Sequence, residues 1–178
     1  MAWSRPADGE STKTPCIWPG ERRNRQDMGQ IPGLTAARQP VQMPEEERFA
    51  MTPPILGHCL CGRIAYRAEA VPLWQMHCHC ESCRRATASG FTSFFAIADG
   101  FWRWTAEEPA LFRSSPGTER RFCSTCGTQM AYRSATAPGE MHFYAATLDN
   151  PARYRPTAHD QSAERLPWVV LCDGLARI

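Results

Sequence analysis

From residue 55 onward, short runs of aromatic and β-branched residues alternate with turn signals, which is the pattern of short β-strands. An Asp-Gly turn at 99–100 and the segment SPGT (115–118) predict two hairpins. Only ESCRRATAS (81–89) and the segment after 149–151 predict helical turns. The predicted strands are GRIAYRAEA (62–70), FTSFFAIA (91–98), FWRWTA (101–106), ALFRS (110–114), ERRF (119–122), QMAYRS (129–134) and MHFYAATL (141–148). We therefore expect a mainly β domain with a small β-sandwich-like fold, short hairpins and little helix.

Residues 1–54 differ in composition from the rest of the chain. They hold 8 of the 15 prolines and show no sustained hydrophobic periodicity, which is typical of a disordered or loosely attached tail. The predicted organisation is an N-terminal tail over residues 1–54 and one domain over residues 55–178. No window approaches ~18 uninterrupted apolar residues, and the first residues lack the apolar segment of a secretory signal. We therefore expect a cytoplasmic protein with reduced thiols and no membrane partner.

Nine cysteines are the strongest chemical signal in the sequence, and seven of them are clustered. The odd count and the very short spacings argue against a disulfide framework. An extended Cys-x-Cys segment presents two sulfurs on one face, and a Cys-x-x-Cys turn does the same, so each pair suits one metal ion. Gly127 lets the turn of the last pair adopt a positive φ. The clustered residues are Cys59 and Cys61, then Cys78, Cys80 and Cys83, then Cys123 and Cys126, whereas Cys16 and Cys172 lie apart. Thiolates without matching carboxylates favour zinc.

Seven sulfurs are one fewer than two tetrahedral zinc ions require. The closed structural site is predicted to consist of Cys59, Cys61, Cys123 and Cys126, which would tie the start of the domain to a late hairpin. The catalytic site is predicted to consist of Cys78, Cys80 and Cys83, whose zinc keeps one position open for water or substrate. Alternatively, His58, His77 or His79 completes the second site and makes it structural as well, although strand alternation directs the last two away from the sulfurs. We thus predict two zinc ions per chain in a zinc-stapled fold.

The charge of the chain is close to balanced, with a formal net charge of +2 and a pI near 8.1. No concentrated basic face is evident, so we do not expect a nucleic-acid partner. Arg84 and Arg85 directly follow the third cysteine of the loop. They can bind the carboxylates of an anionic substrate, or they can offset the thiolate charge and face solvent. The sequence carries no indication of the oligomeric state.

Several ordered motifs resemble one known family over residues 55–178. These motifs are GHCLCGRIAY, CHCESCRRATASGF, FRSSPGTERRFCSTCGTQM, TLDNP, and a terminal PW followed by DGL. Together they resemble the glutathione-dependent formaldehyde-activating enzyme family, which also includes centromere protein V. The resemblance implies a small, mainly β fold with two zinc sites, and it assigns the same cysteines to the structural and catalytic sites. Two features depart from the family pattern, because Ala88 stands where a glycine is expected and the tail has no counterpart.

The reaction that this resemblance implies is the addition of the glutathione thiol to formaldehyde, which is classed with the carbon-sulfur lyases. An open zinc position can hold a thiol as its nucleophilic thiolate, or it can polarise the aldehyde oxygen. We therefore predict a zinc-dependent carbon-sulfur lyase whose partners are a small-molecule thiol and an electrophile. His79, His142 and Tyr144 are candidates for the general acid or base. The alternative is a zinc-stabilised, non-catalytic binding module in which both metals are structural.

Overall fold

The structure, a computed structural model, describes residues 51–178, which are mainly β as predicted. The strands are β1 (Ile55–His58), β2 (Ala65–Ala68), β3 (Trp74–Cys78), β4 (Thr92–Ala98), β5 (Trp102–Trp104), β6 (Ala110–Ser115), β7 (Thr118–Phe122), β8 (Gln129–Ser134), β9 (Glu140–Tyr144), β10 (Ala158–Asp160) and β11 (Ala176–Arg177). An α-helix, α1 (Glu81–Thr87), follows β3, and three 3-10 turns span Ala145–Thr147, Pro151–Arg153 and Ser162–Glu164. Among these residues, no helix is both long and apolar enough to span a bilayer. Cys16 and almost all of the predicted tail lie outside the described residues.

The strands form two sheets. Strands β1, β2 and β5 make a three-stranded antiparallel sheet. The other eight strands form a larger sheet in the order β11-β10-β3-β4-β9-β8-β7-β6, in which β10 runs parallel to both of its neighbours. One face of the larger sheet packs against the smaller sheet, which confirms the predicted sandwich-like arrangement.

The core lies between the two sheets. Phe95 and Phe143 contribute to it from the larger sheet, and Tyr66 contributes from the smaller one. The rings of Tyr66 and Phe143 have centroids only 4.3 Å apart. Met51, at the start of the described range, is buried in the same cluster. Because successive strand residues point to opposite faces, the residues between these core positions point away from the smaller sheet.

The opposite face of the larger sheet carries the residues that matter for chemistry. The register of the strands places a row of side chains next to one another across four pairings, Trp74, Ala96, His142, Tyr132 and Arg120. Directly paired residues share a face of the sheet, and Cys78 has the same alternation as Trp74 on β3. Helix α1 is adjacent to this face, where Cys83 packs with Cys78 and Phe94. The fold therefore separates a packing face from a site-bearing face.

Most of the predicted elements are confirmed. GRIAYRAEA contains β2, QMAYRS is β8, and ESCRRATAS contains α1. The SPGT segment joins β6 to β7 in an antiparallel hairpin, with Gly117 at φ +75°. The strand predicted over MHFYAATL ends at Tyr144, because the chain enters a 3-10 turn at Ala145.

The predicted hairpin across the turn at 99–100 is wrong, although the turn itself forms. Phe101 N–H donates to the carbonyl of Ala98 at 3.2 Å, and Gly100 has φ +85°. However, β4 pairs with β3 and β9, whereas β5 pairs with β2 in the smaller sheet. Trp102 and Trp104 share one face of β5 and pack against the core cluster between the sheets. The turn therefore connects the two sheets.

Four strands have no counterpart among the predicted ones, namely β1, β3, β10 and β11. Strand β3 (WQMHC) shows no clean alternation of polar and apolar residues, and β10 and β11 have only three and two residues. These short strands depend on partners that are distant in sequence, so local patterning does not predict them.

Candidate functional site

The first group of cysteines, called here the four-cysteine cluster, joins loops that belong to different sheets. Cys59 and Cys61 lie in the loop between β1 and β2, and Cys123 and Cys126 lie in the loop between β7 and β8. All four sulfur atoms lie within 4.8 Å of one another. Cys61 Sγ is 3.5 Å from Cys59 Sγ and 3.7 Å from Cys123 Sγ. The cluster thus links the smaller sheet to the larger one.

Both loops reach this arrangement through a tight turn that ends on a glycine with positive φ. Gly62 has φ +78° and Gly127 has φ +75°, a region that side chains rarely adopt, so the positive φ predicted for Gly127 is confirmed. Gly62 N–H donates to the carbonyl of Cys59 at 3.0 Å, and Gly127 N–H donates to the carbonyl of Cys123 at 2.8 Å. Each glycine therefore lets the chain turn back so that both sulfurs of its pair reach the same point.

The four sulfurs fit a tetrahedral zinc ion. Sulfurs bound at ~2.3 Å in a tetrahedron lie about 3.8 Å apart, which is close to the two distances given above. Ile64 N–H donates to Cys59 Sγ at 3.3 Å, and Thr128 Oγ1 lies 3.2 Å from Cys126 Sγ. Hydrogen bonds from the hydroxyl and the backbone of Thr128 lower the pKa of Cys126 to about 5. These contacts orient the sulfurs and favour the thiolate form that a metal ion requires.

The second group, called here the three-cysteine cluster, comes from a single local segment. Cys78 is the last residue of β3, Cys80 is the N-cap of α1, and Cys83 lies in the first turn of that helix. Their sulfurs lie within 4.8 Å of one another, and Cys83 N–H donates to Cys80 Sγ at 3.3 Å. Hydrogen bonds from Cys78 and Cys83 lower the pKa of Cys80 to about 2, and hydrogen bonding to Cys80 raises the pKa of Cys78. The segment therefore aims three sulfurs at one point and holds Cys80 ready as a thiolate.

Within residues 51–178, no histidine nitrogen joins either cysteine cluster. His77 Nδ1 lies 2.8 Å from Ser93 Oγ, and His58 Nε2 lies 3.5 Å from Asp149 Oδ1. His79 is fully buried, and its Nε2 is 2.9 Å from His159 Nδ1. The arrangement is therefore that of three sulfurs without a fourth protein ligand, and the alternative in which an imidazole closes the second site finds no support in the described residues.

Aromatic rings surround the three-cysteine cluster. Phe94 and Tyr144 pack with the two buried cysteines, and Trp74 and Tyr132 border the group. The ring of Phe94 lies 4.7 Å from that of Tyr144 and 4.8 Å from that of Tyr132. A low-polarity wall of this kind strengthens electrostatic interactions at the sulfurs and limits the access of water.

The two arginines that the sequence indicates as substrate-binding lie in different environments. Arg84 Nε donates to the carbonyl of His79 at 2.7 Å, so this side chain fixes the backbone between Cys78 and Cys80. Arg85 Nε donates to Glu81 Oε1 at 2.7 Å, and its side chain is 79% exposed. Arg85 also lines a cavity beside α1, so a role in substrate binding stays a prediction for this residue.

Sequence reasoning missed Arg120, a buried arginine in β7 that lies beside the cluster. Its guanidinium donates to Ser82 Oγ at 2.8 Å and to the hydroxyl of Tyr144 at 3.2 Å. Burial alone would lower the pKa of Arg120, but Tyr144 and the Cys83 thiol raise it above its ordinary value. No local signal distinguishes it from Arg121, its neighbour in ERRF, because only the strand register shows which of the two faces the site.

Two cavities meet beside α1 and share Ala86 and Gln129 as lining residues. The first has a volume of about 580 Å³ and is lined by Arg85 and Arg120 together with serines and apolar side chains. The second has a volume of about 940 Å³, and its lining includes Tyr144 and a segment around Trp168. Gln129 Oε1 is buried and has no hydrogen-bond partner among the described residues. None of the three cysteines of the cluster lines either cavity, but both cavities border the helix that carries Cys83, and each is large enough for a small organic thiol.

The candidate acids and bases also differ in position. His142 Nε2 lies 2.7 Å from Glu140 Oε1, and burial lowers the pKa of this imidazole. Burial likewise lowers the pKa of His79, which is engaged with His159. Tyr144 is the candidate that contacts the buried cysteines, and burial raises its pKa to about 12 against the opposing effect of Arg120. Of the three, the Tyr144 hydroxyl is therefore the group tied to both the cluster and the buried arginine.

Comparison with known proteins gives a family model, a curated relative and a solved structure that match this chain. A Halomonas elongata protein with the provisional name glutathione-dependent formaldehyde-activating enzyme is 26% identical over 123 residues, and the match covers 64% of this chain and 78% of that protein. A crystal structure of a Rhodobacter sphaeroides protein is 24% identical, with a TM-score of 0.46, and covers 53% of this chain and 87% of its own. The family model for glutathione-dependent formaldehyde-activating enzymes matches residues 54–163, a range that includes both cysteine clusters. The chain belongs to the glutathione-dependent formaldehyde-activating enzyme family.

Proposed function

We propose that the domain is a zinc-dependent carbon-sulfur lyase that adds the thiol of glutathione, or of a similar small molecule, to an aldehyde such as formaldehyde. The observation that carries this proposal is the difference between the clusters, because four sulfurs converge at one and three at the other. A closed shell suits a structural ion, whereas three ligands leave a position for a reactant. Family membership supports glutathione and formaldehyde as the reactants.

The proposed metal ligands follow the two clusters. Cys59, Cys61, Cys123 and Cys126 would hold a structural zinc ion, and Cys78, Cys80 and Cys83 would hold a catalytic one. When bound at three thiolates, zinc supplies an open position at which the pKa of an incoming thiol falls, so that the thiol is present as the nucleophile at neutral pH.

Residues around the three-cysteine cluster would exclude water, hold the cysteine loop and contact the aldehyde. The reaction joins the thiol sulfur to the carbonyl carbon, opens the C=O double bond and leaves on the resulting oxygen the proton that balances the one lost by the thiol. Phe94, Tyr132 and Trp74 would limit water at the sulfurs, and Arg84 would hold the loop that carries Cys78 and Cys80. Tyr144 is our candidate for interacting with the aldehyde oxygen, because its hydroxyl lies beside the cluster and accepts a hydrogen bond from Arg120.

The test is a Cys83→Ser variant of the zinc-loaded protein, assayed for consumption of formaldehyde in the presence of glutathione. We expect the rate above the uncatalysed background to fall by at least about 100-fold, because an activated nucleophile is lost. Circular dichroism should show a folded domain, and metal analysis should find about one zinc ion per chain. A wild-type protein that holds two zinc ions and accelerates no thiol addition with glutathione or other small thiols would contradict the proposal.

The same variant separates this proposal from the alternative of a binding module. If both metals are structural, Cys83→Ser should unfold the domain, and no thiol-dependent activity should exist for the variant to lose. Titration of the cobalt-substituted protein with millimolar glutathione provides a second readout, because a thiol that enters the open position changes the visible spectrum. An unchanged spectrum would favour the module.

A further inference from the structure

Arg120 is a buried charge without a carboxylate partner in the described part of the chain. The residue is 5% exposed, and no ion pair to a carboxylate is formed by its guanidinium within residues 51–178. Removing a guanidinium from water costs several kcal/mol unless other groups compensate. An arginine in this position therefore needs a structural or a functional explanation.

The guanidinium is held in a fixed orientation by neutral groups. Nε donates to Ser114 Oγ at 3.2 Å, one terminal nitrogen donates to the hydroxyl of Tyr144 at 3.2 Å, and the other donates to Ser82 Oγ at 2.8 Å. The same group lies 5.5 Å from the ring centre of Tyr132. These bonds use three of the five N–H groups of an arginine. The Cys83 thiol is a further hydrogen-bond partner of this guanidinium, so the described residues leave at most one terminal N–H of Arg120 without an acceptor.

The held guanidinium lies between the three-cysteine cluster and a cavity. Its charge interacts with the Cys83 thiol, and Arg120 lines the cavity of about 580 Å³. The other lining residues of this cavity include Arg85, Ser82, Ser114 and Gln129, and Leu111 and Phe112 form an apolar part of the wall. Two arginines and two hydroxyls in the lining of a partly apolar cavity favour an organic ligand that carries an anionic oxygen group.

The thiolates of the cluster can offset part of the charge on Arg120. They do not explain why the guanidinium also borders the cavity together with a second arginine. A guanidinium that keeps an N–H group free of protein acceptors can donate a charge-assisted hydrogen bond to a carboxylate that enters the cavity. Glutathione carries a carboxylate at each end of the molecule, and many smaller biological thiols carry one a few bonds from the sulfur.

We propose that Arg120 is the anion subsite that binds the carboxylate of the thiol substrate and so places its sulfur at the three-cysteine cluster. This inference rests on the proposed function, because it requires the thiol to enter at that cluster. It assigns substrate recognition to a buried residue of β7 and gives Arg85, at the cavity mouth, at most a supporting role.

The first test compares two thiols on the zinc-loaded wild-type protein by calorimetry. The probes are 3-mercaptopropionate and its methyl ester, which have the same sulfur but differ in the carboxylate. We expect the acid to bind at least about tenfold more tightly than the ester, in keeping with a charge-assisted hydrogen bond. Equal affinities for the two probes would overturn the inference and leave the proposed function intact, whereas no binding of either probe would contradict the proposed function itself.

The second test repeats the comparison on variants. In Arg120→Gln the preference for the acid should fall to about one, and in Arg120→Lys it should be reduced but still present because a point charge remains. Arg113→Gln is the matched control, since Arg113 lies on the neighbouring strand with a side chain that is 74% exposed and pairs with Glu119. This control should keep the wild-type preference.

Folding of the variants is checked by thermal unfolding and by zinc content. If Arg120→Gln does not fold, the wild-type comparison and the Arg120→Lys variant still decide the question. A preference for the acid that survives in Arg120→Gln but is lost in Arg85→Gln would overturn the assignment to Arg120. A loss of affinity in Arg120→Gln that is equal for the acid and the ester would also overturn it, because the residue would then act on the cluster and not on the carboxylate.

Discussion

Both cysteine clusters consist of thiol sulfurs, but the segments that supply these sulfurs differ in their separation along the chain. The four-cysteine cluster joins the β1–β2 loop of the smaller sheet to the β7–β8 loop of the larger sheet. The three-cysteine cluster comes from residues 78–83 alone, at the junction of β3 and α1. A metal ion at the first cluster closes a long loop of chain, whereas a metal ion at the second closes almost none. We therefore expect a metal ion held by ligands distant in sequence to stabilise the fold, and one held by ligands close in sequence to be available for reaction.

The two clusters also differ in the side chains that surround them. Cys59 and Cys123 belong to the main core between the sheets. Cys78 and Cys83 belong to a small separate group on the other face of the larger sheet. A substitution in the four-cysteine cluster should therefore disturb the packing of the main core. A substitution in the three-cysteine cluster should disturb only a few aromatic rings and α1.

The largest effect is expected when the crosslink between the sheets is broken. In Cys123→Ser, one ligand of the four-cysteine cluster is lost, so the zinc-binding energy no longer contributes to folding. We expect the free energy of unfolding to fall by more than about 4 kcal/mol, or the domain to be unfolded at room temperature. Urea denaturation followed by circular dichroism measures this effect.

The matched variant is Cys83→Ser, which makes the same substitution in the three-cysteine cluster. Its free energy of unfolding should fall by about 1 kcal/mol or less, because the local segment is also held by helix and strand hydrogen bonds. Equal losses of stability in the two variants would show that the clusters share one structural role.

A metal chelator should release the two proposed zinc ions in separate steps. The ion at the three-cysteine cluster has one position free for attack by the chelator, so it should leave first and with little change in circular dichroism. The ion at the four-cysteine cluster should leave later and together with unfolding. A chromophoric zinc indicator and the far-ultraviolet signal, recorded in the same experiment, measure the two steps.

Release of all the metal in one step that coincides with unfolding would remove the distinction between the sites. Cys83→Ser provides the internal control, because it should lack the early step and keep the late one.

The sequence predicts the division of the cysteines well, because the spacing of ligands is a local property. The pairs Cys59 with Cys61 and Cys123 with Cys126 are recognisable as bidentate turns, and the structure brings them together. What spacing does not indicate is that these turns belong to different sheets. The separate smaller sheet depends on the pairing of β5 with β2. The hairpin predicted at 99–100 would instead have paired β5 with β4.

The site beyond the cysteines is less accessible to sequence reasoning. Arg84 and Arg85 stand out because they follow Cys83, yet the buried charge beside the cluster is Arg120, which comes from β7. Its proximity depends on the register between β7, β8 and β9, since each pairing in the row must be correct for the guanidinium to reach Tyr144. Long-range register of this kind leaves no signature in a stretch such as ERRF.

A smaller effect is expected when the support of the four-cysteine cluster is weakened without loss of a ligand. Thr128 Oγ1 accepts a hydrogen bond from Leu60 N–H at 3.1 Å and lies 3.2 Å from Cys126 Sγ, so it connects both loops. Thr128→Val removes these bonds at nearly constant volume. We expect zinc affinity at this cluster to fall about tenfold and the stability of the domain to fall by about 1 kcal/mol.

The matched substitution at the other cluster is Thr87→Val. Thr87 Oγ1 donates to the carbonyl of Cys83 at 2.9 Å and so supports the three-cysteine segment. Thr87→Val should leave the affinity of the four-cysteine cluster for zinc unchanged in a competition assay with a chelator. A similar loss of that ion in both variants would mean that the threonines act through general stability and not through the clusters.

The smallest effect concerns the end of the helix that carries Cys83. Ala88 is the C-cap of α1 and has φ +52°, a left-handed conformation that is unfavourable for alanine and accessible to glycine. The family resemblance suggests a glycine at this position, and the backbone supplies the physical reason. Ala88→Gly should raise the free energy of unfolding by about 0.5 to 1 kcal/mol, because relief of the strained φ outweighs the added freedom of the unfolded chain. Ala86→Gly is the control, since a glycine inside α1 should lower stability by a comparable amount.

If both glycine variants lower the free energy of unfolding, the left-handed conformation of Ala88 carries no strain. If both leave it unchanged, the end of α1 contributes little to the fold, and the three-cysteine cluster is then even more independent of the core than the structure implies.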